Sequence, residues 1–279
     1  MFVKSLRFLM VFATAWFAGT VVAQACGPDA PCEIDGGSYY LKVPEGQGPH
    51  PVLIWFHGAN SSGSSIHRQG GLQRDFLENG YALLAPNGQT RAGRNPDRFF
   101  FPGRDGSSRD DVAFTFAVLD AAKAQANLDL TRVYAAGFSA GGSMAWLLAC
   151  KAGDRLSGMI SVAGALRSPN ATDCSGLAGL PVMQVHGFAD GQVPLEGRGI
   201  RDWHQGSVWE ILARARRANG CRTHPDEITV DNDFRSRVWA QSCANASVRI
   251  DLHDGGHGLP QGWTSRARVF LEAFDPVTH

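Results

Sequence analysis

Arg132-Val133-Tyr134-Ala135-Ala136 runs directly into Gly137-Phe138-Ser139-Ala140-Gly141-Gly142, and a helical pattern follows to about Cys150. The first segment reads as a strand, so the hexapeptide is the joint between a strand and a helix. A chain that turns abruptly at one residue forces strained backbone there, and the flanking positions must be nearly free of side chain. Gly137 and Gly141 meet that need. The Ser139 hydroxyl is then left projecting from the end of a sheet, beside the unpaired N–H groups of a helix N-terminus. With 33 glycines in the chain a G-x-S-x-G string has some chance frequency; its position between strand and helix is what gives it weight.

Outward from this joint, short apolar runs alternate with amphipathic stretches, the pattern of strands and crossover helices in a mostly parallel sheet with helices on both faces. Val52–Phe56 and Tyr81–Ala85 are continuous apolar runs, as strands buried on both faces should be, and Met159–Ala163 and Pro181–Val185 read as two further buried strands. Ser38–Val43 reads as an edge strand and Val248–Leu252 as the last strand. Helices are expected over Leu72–Asn79, closed by Gly80, and over Asp110–Ala126, with Val112, Phe116 and Leu119 on one stripe and Ser108 and Asp111 as a capping pair. Ser207 and Glu210 cap a further helix that Asn219-Gly220 ends, and Ala267, Phe270, Leu271 and Phe274 mark a final one. One α/β domain accounts for all of this.

The chain has 279 residues, 44% of them apolar, which is enough for a full core. Its 26 basic and 26 acidic residues are interspersed and cancel, so no phosphate-tracking stripe exists and nucleic acid is not an expected partner. Lys4 and Arg7 precede an apolar run from Phe8 to Val22, and Ala23-Gln24-Ala25 offers small residues for cleavage: residues 1–25 read as a signal peptide and 26–279 as the mature domain, secreted or periplasmic. The run is too short to predict stable membrane insertion; a lipid on Cys26 is the competing outcome, less favoured because Ala23 and Gln24 replace the usual lipidation residues. Export gives meaning to six cysteines. Loop-closure entropy favours pairing Cys26 with Cys32, Cys150 with Cys174 and Cys221 with Cys243, the two longer loops adding about 3 kcal/mol each. Neither a C-x-x-C nor a Cys/His cluster at ligand spacing occurs, so no metal or other cofactor is expected.

A serine hydroxyl attacks a carbonyl only when a base removes its proton, and the base must be held by an acid. On a sheet of this kind the chain order is Ser, acid, His. The run Pro181–Val185 ends in His186-Gly187-Phe188-Ala189-Asp190, and the last strand is followed by Asp254-Gly255-Gly256-His257-Gly258. Asp190 is the candidate acid, with Glu196 and Asp202 further from the strand end. His257 is the candidate base, with His253 as its rival. His57 and His186 read as interior histidines with their hydrogen bonds satisfied; His67, His204 and His224 read as surface residues. Attack builds charge on the carbonyl oxygen, and one donor for it typically lowers the barrier by about 3–4 kcal/mol. The Ala140 N–H is one such donor. The second belongs to His57-Gly58-Ala59-Asn60, where Ala59 N–H is preferred and Gly58 or Asn60 could substitute.

His57-Gly58-Ala59, Asp110-Asp111-Val112-Ala113-Phe114, Gly137–Gly142, His186-Gly187 through Asp190, Asn219-Gly220-Cys221 and Gly255-Gly256-His257 occur in an order that resembles the secreted polyhydroxybutyrate-depolymerase-like and feruloyl-esterase-like α/β hydrolases. The resemblance covers roughly residues 26–275. It implies an α/β-hydrolase fold, a Ser139–Asp190–His257 triad, a bridged Cys221–Cys243 pair and a cofactor-free serine esterase acting on hydroxyalkanoate oligomers, hydroxycinnamoyl esters or short acyl esters. A peptidase or amidase on the same triad, or a noncatalytic binding protein on the same fold, are the competing readings. Two features depart from the family: Gly258-Leu259-Pro260-Gln261-Gly262-Trp263 stands where Trp-Pro-Gly is common, and Ala59 where Cys is common. Arg91–Arg104, with Phe99-Phe100-Phe101 among four arginines, reads as core under a loop in preference to an exposed grip for an aromatic acid or anionic polymer.

Overall fold

Val52, Ile54 and Phe56 point to one side of a strand and Leu53 and Trp55 to the other, and all five are fully buried. That strand lies at the middle of a sheet covered on both faces, which is why its sequence is apolar without alternation. The computed structural model describes residues 30–89, 109–168, 173–200, 203–231 and 233–274; the leader, Cys26 and the Arg91–Arg104 segment lie outside the described residues.

Along the chain the strands are β1 (Cys32–Ile34), β2 (Gly37–Lys42), β3 (His50–Phe56), β4 (Ala82–Pro86), β5 (Leu128–Phe138), β6 (Gly158–Val162), β7 (Arg167–Ser168) and β8 (Val182–Gly187). They are followed by β9 (Arg198–Ile200), β10 (Trp203–Gln205), β11 (Glu227–Val230), β12 (Arg235–Trp239) and β13 (Val248–His253). The helices are α1 (Gly70–Asp75), α2 (Asp111–Lys123), α3 (Ala140–Ala152), α4 (Val208–Ala218) and α5 (Trp263–Glu272). Among the described residues ten strands form one sheet in the order β1-β2-β4-β3-β5-β6-β8-β13-β12-β11. The six from β4 to β13 are mutually parallel, and an antiparallel pair flanks them on each side. Helices α2, α3 and α4 cover one face; α1 and α5 cover the other. Strands β7, β10 and β9 make a separate small sheet.

Several local expectations are corrected. Ser38–Val43 is not an edge: β2 pairs with β4 on one side and with β1 on the other, and three-residue β1 is too short to show a period in sequence. The predicted 72–79 helix is α1 followed by a 3-10 turn over Leu77–Asn79, although Gly80 does close it in the left-handed conformation, φ +87°. Helix α2 is capped by Asp110, whose carboxylate accepts from Val112 N and Ala113 N, and not by a pair with Asp111. Asp111 is buried and paired with Arg109; Ser108 lies outside the described residues. The helix also stops at Lys123, short of Ala126. Cys150–Cys174 and Cys221–Cys243 are disulfides, as loop closure favoured.

The site end of the molecule is braced by a buried carboxylate. Asp251 on β13 receives both Arg249 (2.7 and 2.9 Å) and Arg266 Nε from α5 (2.6 Å), and Arg266 reaches on to Asp231 and Ser236. Removing this fully buried acid leaves Arg249 without its counter-charge and Arg266 with Asp231 alone. Asp251→Ala is therefore expected to lower the unfolding free energy by about 3–5 kcal/mol, read from urea denaturation.

Candidate active site

Ser139 sits between β5 and α3 at φ +57°, ψ −116°, a conformation that side chains avoid and that costs on the order of 1–3 kcal/mol. The turn is held from both sides: Ser139 N donates to Val162 O (2.9 Å), and Ser139 O accepts from Ser143 N (3.0 Å). A Cβ on Gly137 would fall on the Gly141 carbonyl, and one on Gly141 would fall on Phe56 O. The glycines thus let α3 start against the backbone of β3, which is the tight turn expected from the sequence.

Asp190 follows the end of β8 and is buried. Its Oδ1 accepts from Gln192 N (2.9 Å) and Val193 N (2.8 Å), and its Oδ2 lies 2.8 Å from His257 Nδ1. His257 Nε2 lies 2.8 Å from Ser139 Oγ. An ionised carboxylate only accepts, so Nδ1 carries the proton and Nε2 offers its lone pair to the serine hydroxyl. The loops bearing the acid and the histidine are knit together by Phe188 N to His253 O (2.8 Å) and Ala189 N to Gly255 O (3.1 Å). Phe138, next to the serine, lies against the His257 ring at 5.1 Å between centroids. The geometry therefore offers a nucleophile, a base and an oriented acid in relay.

Ala140 opens α3, where the first N–H groups have no partner within the helix. Ala59 is half-buried in the turn after β3, beside Gly58, which abuts the Phe138 ring. The same loop walls a groove of about 490 Å³ that includes Glu33, Tyr40, Ser62, Asn87 and Arg109. Phe188 is half-exposed, with the Arg235 guanidinium over its ring, and Leu259 is also exposed; they stand two residues along the chain from Asp190 and His257 respectively.

The remaining candidates go elsewhere. His57 Nε2 accepts from Gly88 N (3.1 Å) and its Nδ1 lies 2.8 Å from Gly58 O, so it ties the β3 and β4 loops together. His253 accepts from Gly255 N and packs against Phe234. Glu196 is exposed, and Asp202 lies outside the described residues. His204 and His224 are exposed, whereas His67 is half-buried against Tyr40. Sequence reading passed over Gln184, which is fully buried behind His186; a lone polar residue in an apolar strand was its only signal. Among the described residues no group of three or more His, Cys, Asp or Glu could hold a metal ion, and no helix is long and apolar enough to cross a membrane.

Burial holds the pKa values of His186 and His253 below the usual histidine range, against the opposing pull of Asp190. Unfolding frees both rings to take protons, so below about pH 6.5 the unfolded state binds more protons and stability falls with falling pH. The urea midpoint should accordingly drop between about pH 7.5 and 5.5, and His253→Gln, which cannot charge, should flatten that slope.

A family model described as alpha/beta hydrolase fold matches residues 51–198. The protein named "Putative esterase NocK" of Nocardia uniformis subsp. tsuyamanensis is 34% identical over 240 residues, covering 79% of this chain and 67% of that protein. Feruloyl esterase C of Emericella nidulans is 28% identical over 244 residues, covering 82% of this chain and 80% of its own. Among solved structures, the acetyl xylan esterase from Aspergillus awamori superposes with a TM-score of 0.60 at 12% identity, covering 84% of this chain and 94% of that one.

Proposed function

Because the chain belongs to the α/β hydrolase family and is a carboxylic ester hydrolase, we propose that it works by acyl transfer through Ser139, His257 and Asp190. The observation that carries this reading is the pair of 2.8 Å contacts, Ser139 Oγ to His257 Nε2 and His257 Nδ1 to Asp190 Oδ2. As Ser139 Oγ attacks the ester carbonyl, His257 takes its proton and Asp190 stabilises the resulting imidazolium. The Ala140 N–H and a second N–H from the loop after β3, assigned to Ala59, receive the charge developing on the carbonyl oxygen. His257 then returns the proton to the departing alcohol, and water attacking the acyl-serine with the same base releases the acid.

The substrates fitting this site are small or oligomeric esters with an apolar or aromatic part, including hydroxycinnamoyl, hydroxyalkanoate and short acyl esters. Phe188 and Leu259 supply the apolar surface, and the resemblance to feruloyl esterase C points the same way. Residues 26–279 are proposed as the exported hydrolase domain after cleavage of residues 1–25. Two disulfides support that reading, since such bonds persist in oxidising compartments.

Fluorophosphonate is expected to label the wild-type protein and not Ser139→Ala. Asp190→Asn should lower kcat on p-nitrophenyl acetate by about 10⁴-fold. Labelling of Ser139→Ala, or unchanged kcat in Asp190→Asn, would overturn the assignment. Turnover of methyl ferulate, hydroxybutyrate oligomers and an activated anilide side by side identifies the acyl preference and separates esterase from amidase. In that panel Phe188→Ala should raise KM for the aryl ester more than for the acetate.

A further inference from the structure

Two imidazoles approach one carboxylate oxygen. Asp190 Oδ2 lies 2.8 Å from His257 Nδ1 and 3.5 Å from His186 Nε2. If both rings charged, they would compete for Oδ2, and the base would lose its orienting partner. The hydrogen bonds behind His186 bear on how that competition is avoided. The Trp146 indole N–H can only donate, and it donates to Gln184 Oε1 (2.8 Å), which fixes the amide orientation. Gln184 Nε2 therefore donates both to Gly164 O (3.0 Å) and to His186 Nδ1 (2.8 Å). At the other side of the ring, Val193 O can only accept, and it takes the Nε2 proton at 2.7 Å. Both ends of the ring demand the same neutral tautomer. A second proton on Nδ1 would face an N–H donor in a site with no exposure.

We propose that Gln184 is a positioning residue: by donating to His186 Nδ1 it keeps that imidazole neutral, so that Asp190 serves His257 alone. The inference rests on the triad reading above. The neutral ring also anchors Val193, whose own N–H holds Asp190 Oδ1, so one side chain fixes the loop and leaves Oδ2 to the base. The charged or titratable groups acting on His186 are Asp190, His257 and His253; burial outweighs the pull of Asp190, and both histidines act in the same direction as burial.

The test is Gln184→Glu, nearly the same in shape but an acceptor toward Nδ1. His186 should then charge and draw Oδ2 away from His257. Because His257 then loses the carboxylate that stabilises its charged form, the acid limb of kcat/KM for p-nitrophenyl acetate is expected to move down by about one pH unit while the plateau falls roughly tenfold, with KM little changed. A uniform loss across pH, or a profile superposing on wild type, would show that Gln184 only packs and would overturn the inference. Nitrogen NMR of the wild-type protein decides independently of any variant: His186 should stay Nε2-protonated and neutral between about pH 5 and 8. A His186 that titrates together with activity also overturns it. Failure of the triad itself has a different signature, since Asp190→Asn would then keep its activity whatever Gln184→Glu does.

Discussion

The close approach of α3 to β3 is the constraint on which the rest of the site depends. Where β5 ends, the chain has one residue in which to reverse from extended to helical, and the first turn of α3 must pass over the Phe56 carbonyl. Only a position without a Cβ fits there. The strain this places on Ser139 is borne by the sheet, through its bond to Val162 O, and by the buried body of α3, where Met144, Trp146, Leu148 and Cys150 are wholly enclosed. A serine held this way has its backbone fixed by the core of the domain and its hydroxyl outside it.

From that fixed point the other groups need only be brought to the same end of the sheet, which a parallel arrangement does without further device. Strands β3, β5, β6, β8 and β13 all finish on one side, so the loops following β3, β8 and β13 gather around the serine. The loops after β8 and β13 are joined by backbone hydrogen bonds, and the Asp251 ion cluster secures the strand beneath them to α5. The acid is gripped by two backbone N–H groups, which costs little entropy because Val193 is itself tied to a buried ring. Burial thus disfavours the charged form of His186 and His253. Membership of the α/β hydrolase family agrees with this layout.

What the residues themselves determined is the part of the molecule where local pattern and tertiary demand coincide. Continuous apolar runs mark strands covered on both faces, as His50–Phe56 and Ala82–Pro86 show from Val52 and Ala82 onward, and Gly137 and Gly141 admit few alternatives to a tight strand-to-helix turn. The G-x-S-x-G joint points to Ser139, and chain order with position just past a strand end points to Asp190 and His257, since the carboxyl ends of parallel strands converge. Tertiary structure decided what local pattern leaves free. Strand β11 carries no burial period, because it is exposed throughout and exists only by pairing with its neighbour. The cap of α2 passed to Asp110 because Asp111 is taken by Arg109, a contact no spacing rule contains. Between His253 and His257 the glycine loop matters: His253, still on the strand, is directed into the packing against Phe234, and four residues on the chain has turned far enough to reach the serine. Gln184 was the least legible of all, since the worth of a buried amide lies in partners on α3, β8 and the loop after β6, and hydrogen bonds between distant segments leave no period in the sequence that makes them.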